Sequence, residues 1–324
     1  MTNVPVTFAC GLYDRAVALA TGAVKPEGID LTFVNIDSPR EIFDRMSATQ
    51  EFDASEYSSS EFISRYAAGQ CPFVAIPIFP SRSFRHGFIV VNRRFVKNPK
   101  DLSGKRIGLP MYTMTASIFI KGLLQHEYGV DLSQVEWVEG QINGGDKHGA
   151  PTTMPLVGPV HITQNATGKS LSQLLEEGDI HAVIGTGFPE AMGRNPDIVR
   201  LFQDHRKVER EYFQRTGIFP IMHLVAIQKT LYEKHPFIAK SLYQALDQSK
   251  KIALSKMRAV VSLRYMLPWM QEDIAEVDEL FDGDPFPYGL DANRKTLNAL
   301  VQYLEDQHLI SKPLKLDDIF VATK

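Results

Sequence analysis

The chain has 324 residues, of which 44% are hydrophobic and 23% charged, and its formal net charge is −3 at pH 7. This composition is typical of a globular protein and excludes a disordered or low-complexity chain. Its 35 basic and 38 acidic residues provide no basic field for nucleic acid. No stretch approaches the ~20 apolar residues that cross a bilayer, so we expect neither nucleic acid nor a membrane as a partner.

Cysteine content and the N-terminus predict where the protein works. Its two cysteines, Cys10 and Cys71, cannot form a disulfide framework, and no Cys/His spacing indicates structural zinc. The N-terminal segment carries no positively charged leader region. We therefore expect a reduced, cytoplasmic setting.

The first ninety residues alternate short apolar runs with amphipathic helical patterns. Ser38, Pro39 and Glu41 predict the start of one helix, with Ser38 as N-cap, Pro39 at the first position and Glu41 completing a capping box. The alternation of strands and helices predicts an α/β fold with a parallel sheet. The predicted strands cover residues 4–9, 29–36, 52–57 and 73–79, and the other helices cover residues 13–21 and 59–68.

A second α/β unit follows, and at roughly 100–200 residues per domain the length accommodates it. We predict two lobes, the first from residues 1–90 plus 226–324 with a helical C-terminal region, and the second from residues 91–225. A ligand is expected in the cleft between them, at the carboxyl ends of parallel strands. The further predicted strands cover residues 88–92, 102–110, 180–185, 198–202 and 219–228, and the helices cover 115–128, 170–177 and a stretch from Pro236.

Several segments carry a resemblance to known families. LSGKRIGLP at residues 102–110 and EGDIHAV at 177–183 look like the second lobe of the type II periplasmic-binding-protein fold. The blocks LYDRAVAL, FDASEYSSSEF, PIFPSRSFRHGFIVVN and RYMLPWM resemble the 4,5-dihydroxyphthalate decarboxylase family, and the likeness runs nearly end to end. The resemblance implies a small aromatic di-acid substrate and the loss of one carboxyl group from 4,5-dihydroxyphthalate, which gives protocatechuate.

That reaction dictates which side chains a site must supply. Protonating the ring carbon that bears the carboxylate gives a dienone-like intermediate that loses CO2, and because the phenol-bearing ring accepts the electrons no organic cofactor is demanded. His86 is a candidate proton donor since the ordinary pKa of histidine is near neutrality. Glu56 could accept a phenolic proton or pair with an arginine. His223, in an apolar strand, could be a catalytic acid or a hydrogen-bonded core residue.

Cations and hydroxyls near the predicted strand ends could hold the carboxylates. A guanidinium binds a carboxylate through two parallel hydrogen bonds, and in an extended segment only one of Arg85 and His86 points inward. Asp14 could instead cap a helix, and Arg40 could be a solvated helix residue. The candidate substrate-binding residues are Tyr13, Asp14, Arg15, Arg40, Tyr57, Ser58, Arg82, Arg85, Thr113, Thr115, Ser117 and Thr186.

Three alternatives stay open at this stage. Asp146, His148 and His161 lie in a Gly-rich loop and leave a divalent metal open, although no metal-binding motif is present and we predict no metal site. The protein could bind a carboxylated ligand without reacting, or be another lyase of this fold, such as a chorismate-dehydratase-like enzyme. Self-association into a homo-oligomer is also open.

Overall fold

The computed structural model describes residues 2–145, 153–259 and 263–323, and within them eleven strands form two sheets. The strands are β1 Val4–Cys10, β2 Ile29–Asn35, β3 Ala54–Ser58, β4 Phe73–Arg82, β5 Ile89–Asn92, β6 Arg106–Leu109, β7 Glu136–Glu139, β8 Ile162–Gln164, β9 Ala182–Ile184, β10 Ile198–Arg200 and β11 Ile221–Gln228. The helices are α1 Asp14–Ala20, α2 Pro39–Thr49, α3 Ser59–Ala67, α4 Thr115–Tyr128, α5 Leu171–Glu177, α6 His205–Thr216, α7 Lys229–Lys234, α8 Phe237–Met257, α9 Met270–Phe281, α10 Arg294–Asp306 and α11 Leu316–Ile319.

Both sheets are mixed, whereas the sequence predicted parallel strands. The first sheet has the order β2-β1-β3-β11-β4. In it β1 is parallel to β2 and β3, but β11 is antiparallel to β3 and β4 because the chain re-enters from the second sheet in the opposite direction. The second sheet has the order β10-β5-β9-β6-β7-β8, and β5 is antiparallel to both its neighbours.

The chain crosses between the sheets twice. It leaves the first sheet at the end of β4 and enters the second at β5, and it returns between β10 and β11. The strand β11 pairs with the first sheet from Ile221 onward. The lobe boundaries at 90/91 and 225/226 stay predictions.

The start of α2 shows how sequence determines a local element. Ser38 caps the helix, since its side-chain oxygen accepts a hydrogen bond from the Glu41 amide at 3.4 Å. The predicted capping box is wrong, because the Glu41 carboxylate accepts a hydrogen bond from Arg45 at 2.9 Å instead. The cap is therefore a single hydrogen bond, and Pro39 follows it as predicted.

One apolar cluster connects the two sheets. It includes buried Phe79 from β4, Ile107 from β6 and Phe119 from α4. The C-terminal segment adds further links, because Leu300 on α10 belongs to the same cluster. The two lobes thus pack against each other around the space that holds the candidate site. Among the described residues, no helix has both the length and the apolar character needed to cross a membrane.

Candidate active site

A cavity of about 430 Å³ lies between the two sheets, and we call it the interlobe cavity. The first lobe contributes the starts of α2 and α3, the crossover after β4, and β11. The second lobe contributes the start of α4 and the loop after β9. The lining residues are Ser38, Pro39, Arg40, Phe43, Ser58, Ser81, Arg85, Met111, Met114, Thr115, Ala116, Thr186, Met222 and His223.

His223 presents one ring nitrogen to this cavity. It lies on β11 beside β3, and its Nδ1 is 2.5 Å from Oε1 of Glu56. Within the described residues Nε2 makes no hydrogen bond. The ring packs edge-on against Phe43, with centroids 4.9 Å apart. His223 therefore lines the cavity and is at the same time hydrogen-bonded to a buried carboxyl group, and its role as a catalytic acid stays a prediction.

Glu56 is fully buried beneath His223. Besides the histidine, its carboxylate accepts hydrogen bonds from the Tyr13 hydroxyl at 2.9 Å and from the Gly11 amide at 3.3 Å. Burial by itself would raise the pKa of this carboxyl, but the charge and hydrogen bond of His223 and the bonds from Tyr13 and Gly11 hold the pKa below its usual value. Glu56 does not line the cavity but contacts His223, which does, so its carboxylate is not placed to accept a phenolic proton directly.

Arg85 is a buried cation, and no carboxylate of the described residues lies within 4.0 Å of its guanidinium. It is 6% exposed, lines the interlobe cavity, and makes no side-chain hydrogen bond to the described residues. Its guanidinium carbon lies 5.0 Å from the centroid of the Phe88 ring. Burial lowers its pKa to about 10, so the group remains charged at neutral pH. An unpaired buried cation is costly, and an anionic ligand would relieve that cost.

Arg40 also lines the cavity, but its charge is already paired. It lies 2.6 Å from Asp44 and 3.4 Å from Glu61. It therefore adds less positive potential to the cavity than Arg85 does.

Hydroxyl groups join the two lobes at the edge of the cavity. The side-chain oxygen of Thr115, at the start of α4, lies 3.1 Å from that of Ser58 and 2.9 Å from that of Ser60, at the start of α3. Ser60 also donates from its hydroxyl to the Thr113 carbonyl at 2.9 Å. Ser58, Thr115 and Thr186 line the cavity, as the sequence predicted for substrate-binding residues, whereas Thr113 and Ser117 do not.

His86 does not line the interlobe cavity, so the prediction that it is the proton donor is wrong. Residues His86–Phe88 form a short 3-10 helix, and Arg85 lines the cavity whereas His86 does not. The ring is 1% exposed, and Tyr128, Phe202 and Tyr212 pack edge-on around it. Burial lowers its pKa to about 4, so it is neutral at neutral pH and no proton-transfer partner is within hydrogen-bond reach.

Two other predicted arginines serve the framework. Arg15 donates to the Pro80 carbonyl at 2.6 Å and to Asp14 at 3.1 Å. Arg82 donates to the carbonyls of Phe219 and Pro287 at 3.4 and 3.1 Å. Neither lines the interlobe cavity, because each guanidinium is turned toward main-chain carbonyls that need donors.

The remaining predicted residues also lie outside the cavity. Asp14 is the first residue of α1 rather than its cap, and it pairs with Arg15. Tyr13 is the residue before it and serves Glu56 instead of the substrate. Tyr57 points to the opposite face of β3 from Glu56, and its hydroxyl donates to Glu61 at 2.8 Å.

The apolar wall of the cavity was not predicted from the sequence. It consists of Phe43, Met111, Met114 and Met222. For two of them the sequence held a signal of position near the cavity, because Phe43 lies one helical turn after Pro39 and Met222 precedes His223 in the return strand.

The described residues contain no group of three or more His, Cys, Asp or Glu side chains placed to hold a metal ion. Of the three loop residues considered for a metal, His161 is exposed, and Asp146 and His148 lie outside the described residues.

Comparison with known proteins identifies the family to which the chain belongs. A family model described as NMT1/THI5 like matches residues 15–146. A 4,5-dihydroxyphthalate decarboxylase of Comamonas testosteroni is 33% identical over 322 residues, which are 99% of this chain and 97% of the relative. The chain belongs to the 4,5-dihydroxyphthalate decarboxylase family. A second member, from Pseudomonas putida, is 34% identical over 218 residues, or 66% of this chain and 83% of the relative.

Solved structures similar to this decarboxylase-family chain confirm the predicted fold. The aliphatic sulphonate binding protein SsuA of Escherichia coli superposes with a TM-score of 0.57 at 9% identity, covering 98% of both chains. SsuA from Xanthomonas axonopodis, bound to MOPS, has a TM-score of 0.52 at 10% identity and covers 99% of both. At this identity the likeness shows the two-lobed periplasmic-binding-protein fold alone.

Proposed function

We propose that the protein removes one carboxyl group from 4,5-dihydroxyphthalate, or a close aromatic dicarboxylate, without an organic cofactor. The observation that carries this proposal is the pairing in one cavity of His223, supported from behind by buried Glu56, with the unpaired guanidinium of Arg85. Family membership supports the reaction class. The cytoplasmic setting expected from the sequence is part of the same proposal.

Arg85 would hold the carboxylate that the product keeps. Its charge is buried and unpaired, and a bidentate carboxylate would satisfy it. The hydroxyls of Ser58, Thr115 and Thr186 supply further hydrogen bonds, and Phe43 and Met222 provide apolar contact for the ring. A flat di-acid therefore meets both polar and apolar walls in this cavity.

His223 would deliver the proton. Its Nε2–H transfers a proton to the ring carbon that bears the leaving carboxylate, and a C–H bond forms. The C–C bond to that carboxylate then breaks, its electron pair returns to the ring, and CO2 leaves. Water restores the proton to Nε2, so each turnover consumes one proton. Ionised Glu56 holds the Nδ1–H and stabilises the imidazolium before transfer.

The decisive test incubates the purified protein with 4,5-dihydroxyphthalate, with and without divalent metal, and measures CO2 and protocatechuate. We expect turnover by the wild type. We expect His223→Gln to lower kcat by roughly 100-fold or more, because general acid help is worth about 10²–10⁴ in rate. Arg85→Gln should mainly raise KM. His161→Gln replaces an exposed histidine and serves as the matched control.

Two results would contradict the proposed reaction, and a third would contradict the role of His223 in it. Recovery of unchanged ligand, with thermal stabilisation of the protein by that ligand, would indicate a binding protein that does not react. If the protein converted other aromatic or cyclohexadiene acids in a screen but not 4,5-dihydroxyphthalate, it would be a different lyase. Wild-type kcat in His223→Gln would remove this residue from the acid role.

A further inference from the structure

A second cavity of about 440 Å³ lies on the crossover between the sheets, and it shares no lining residue with the interlobe cavity. We call it the aromatic groove. The residues that matter to its chemistry are Phe84, Phe88, Phe188, Arg200, His205 and Glu209.

Aromatic rings form the walls of this groove. Phe88 and Phe188 stack with centroids 5.1 Å apart and planes 12° from parallel. Phe84 stacks on Phe219, which also lines the groove, at 4.5 Å and 27°. Flat, ring-bearing walls of this kind favour a flat, ring-bearing ligand.

The polar groups of the groove favour an anion. Among the described residues, the Arg200 side chain makes one hydrogen bond, from its Nε to the Gly87 carbonyl at 3.1 Å. Its guanidinium carbon lies 4.8 Å from the centroid of the Phe188 ring. No carboxylate within the described part of the chain lies within 4.0 Å of this guanidinium. The Nδ1 of His205 is buried and has no hydrogen-bond partner among the same residues. The groove's carboxyl group, Glu209, already accepts the Gly87 amide at 3.0 Å.

We propose that the aromatic groove is a second binding site, for a flat aromatic carboxylate. Arg200 and His205 would bind the carboxylate, and the phenylalanine walls would hold the ring. An unpaired guanidinium beside an apolar surface is the arrangement that recognises such a ligand. The two cavities share no lining residue, although Phe88 of the groove packs against Arg85 of the interlobe cavity.

Calorimetric titration with 3,4-dihydroxybenzoate tests this site. We expect two binding events in the wild type. Arg200→Gln should weaken one of them roughly tenfold or more, as loss of a charge-assisted hydrogen bond does, and leave the other unchanged. Arg85→Gln should leave the Arg200-dependent event in place. Phe188→Ala should weaken the same event as Arg200→Gln, and Arg194→Gln, at an exposed arginine, is the matched control.

The second site would be overturned if the titrations of Arg200→Gln and Phe188→Ala both matched that of the wild type. It would also be overturned if Arg85→Gln abolished all binding. Thermal melts of each variant show whether it is folded. Failure of the proposed decarboxylation would look different, since an Arg200-dependent binding event would persist in a protein that releases no CO2.

Discussion

At the scale of single residues, His86 shows what a buried polar ring does to a protein. In the part of the chain that the structure describes, neither of its ring nitrogens has a hydrogen-bond partner, and the carboxylate oxygen of Glu209 is 4.0 Å away. Arg215 and His205 act on it from α6, and both oppose protonation. The folded protein therefore keeps this ring neutral at a pH where the unfolded chain would protonate it.

That difference predicts a pH-dependent stability. Because the pKa falls from 6.5 to about 4 on folding, the unfolded state binds more protons than the folded state between those values, and stability falls as the pH drops through this window. The loss from this ring is at most about 3 kcal/mol. Urea unfolding at pH 7 and pH 4.5 measures it, and His86→Leu should show a shallower loss than the wild type.

His161→Leu, at an exposed histidine, is the control and should keep the wild-type loss. Equal losses in His86→Leu and the wild type would mean that this ring is not the group responsible.

The same residue shows where sequence analysis stops. Arg85 and His86 were both candidates, and an extended backbone allows only one of them to face inward, but the choice depends on the 3-10 turn at His86–Phe88 and on the rings around it. Glu56 and His223 were also both candidates. Their pairing joins residues 167 positions apart, which composition and periodicity do not reveal.

At the scale of elements, the starts of α3 and α4 form a contact between the lobes. Thr115 accepts a hydrogen bond from the Ser60 amide at 3.2 Å and lies beside two serine hydroxyls. These groups are buried, and the hydroxyl of Thr115 finds its hydrogen-bond partners among the described residues in the other lobe. The contact therefore favours the closed arrangement of the two lobes.

Thr115→Val tests this contact. The valine methyl cannot accept the Ser60 amide, and we expect a loss of about 1–3 kcal/mol in the free energy of unfolding together with weaker binding of substrate. Chemical denaturation and ligand titration measure the two effects. Ser117→Ala, in the same helix, removes a buried hydroxyl that has no partner and should change neither. A stability equal to wild type in Thr115→Val would show that the hydroxyl contact contributes nothing.

The elements themselves were predicted to different degrees. The helix predicted at 115–128 matches α4 at both ends, because Gly129 stops a long apolar pattern. The strands β7 and β8 were missed, since they have only four and three residues and the second follows a segment of weak periodicity. Strand direction was wrong for β11, because direction depends on which sheet the chain returns to rather than on local pattern.

At the scale of the whole molecule, the C-terminal segment links the two sheets. Gln307 donates to the Ile118 carbonyl on α4 at 2.9 Å, and the Val321 amide donates to the Ala75 carbonyl on β4 at 2.9 Å. Helices α10 and α4 approach closely at Gly122, where an added Cβ would lie 2.3 Å from atoms of the Tyr303 ring. A glycine is required there to let the two helices meet.

Gly122→Ala should separate these helices. Overpacking costs about 1–3 kcal/mol and outweighs the gain of roughly 1 kcal/mol in helix propensity, so we expect a lower melting temperature and a higher KM. Calorimetry and steady-state kinetics measure both. Gly144→Ala, where an added Cβ would meet no atom of the described residues within 4 Å, is the control. An unchanged melting temperature in Gly122→Ala would show that Tyr303 moves aside freely.

The position of β11 has a consequence for synthesis on the ribosome. This strand lies between β3 and β4, although more than 130 residues of chain separate it from β4. Until Gln228 has left the ribosome, the nascent chain therefore exposes the unpaired edges of β3 and β4. Such edges are surfaces that chaperones protect from aggregation. The strand that closes those edges also carries His223 to Glu56. A chain that has completed its first sheet has, by the same event, brought the proposed proton donor into place.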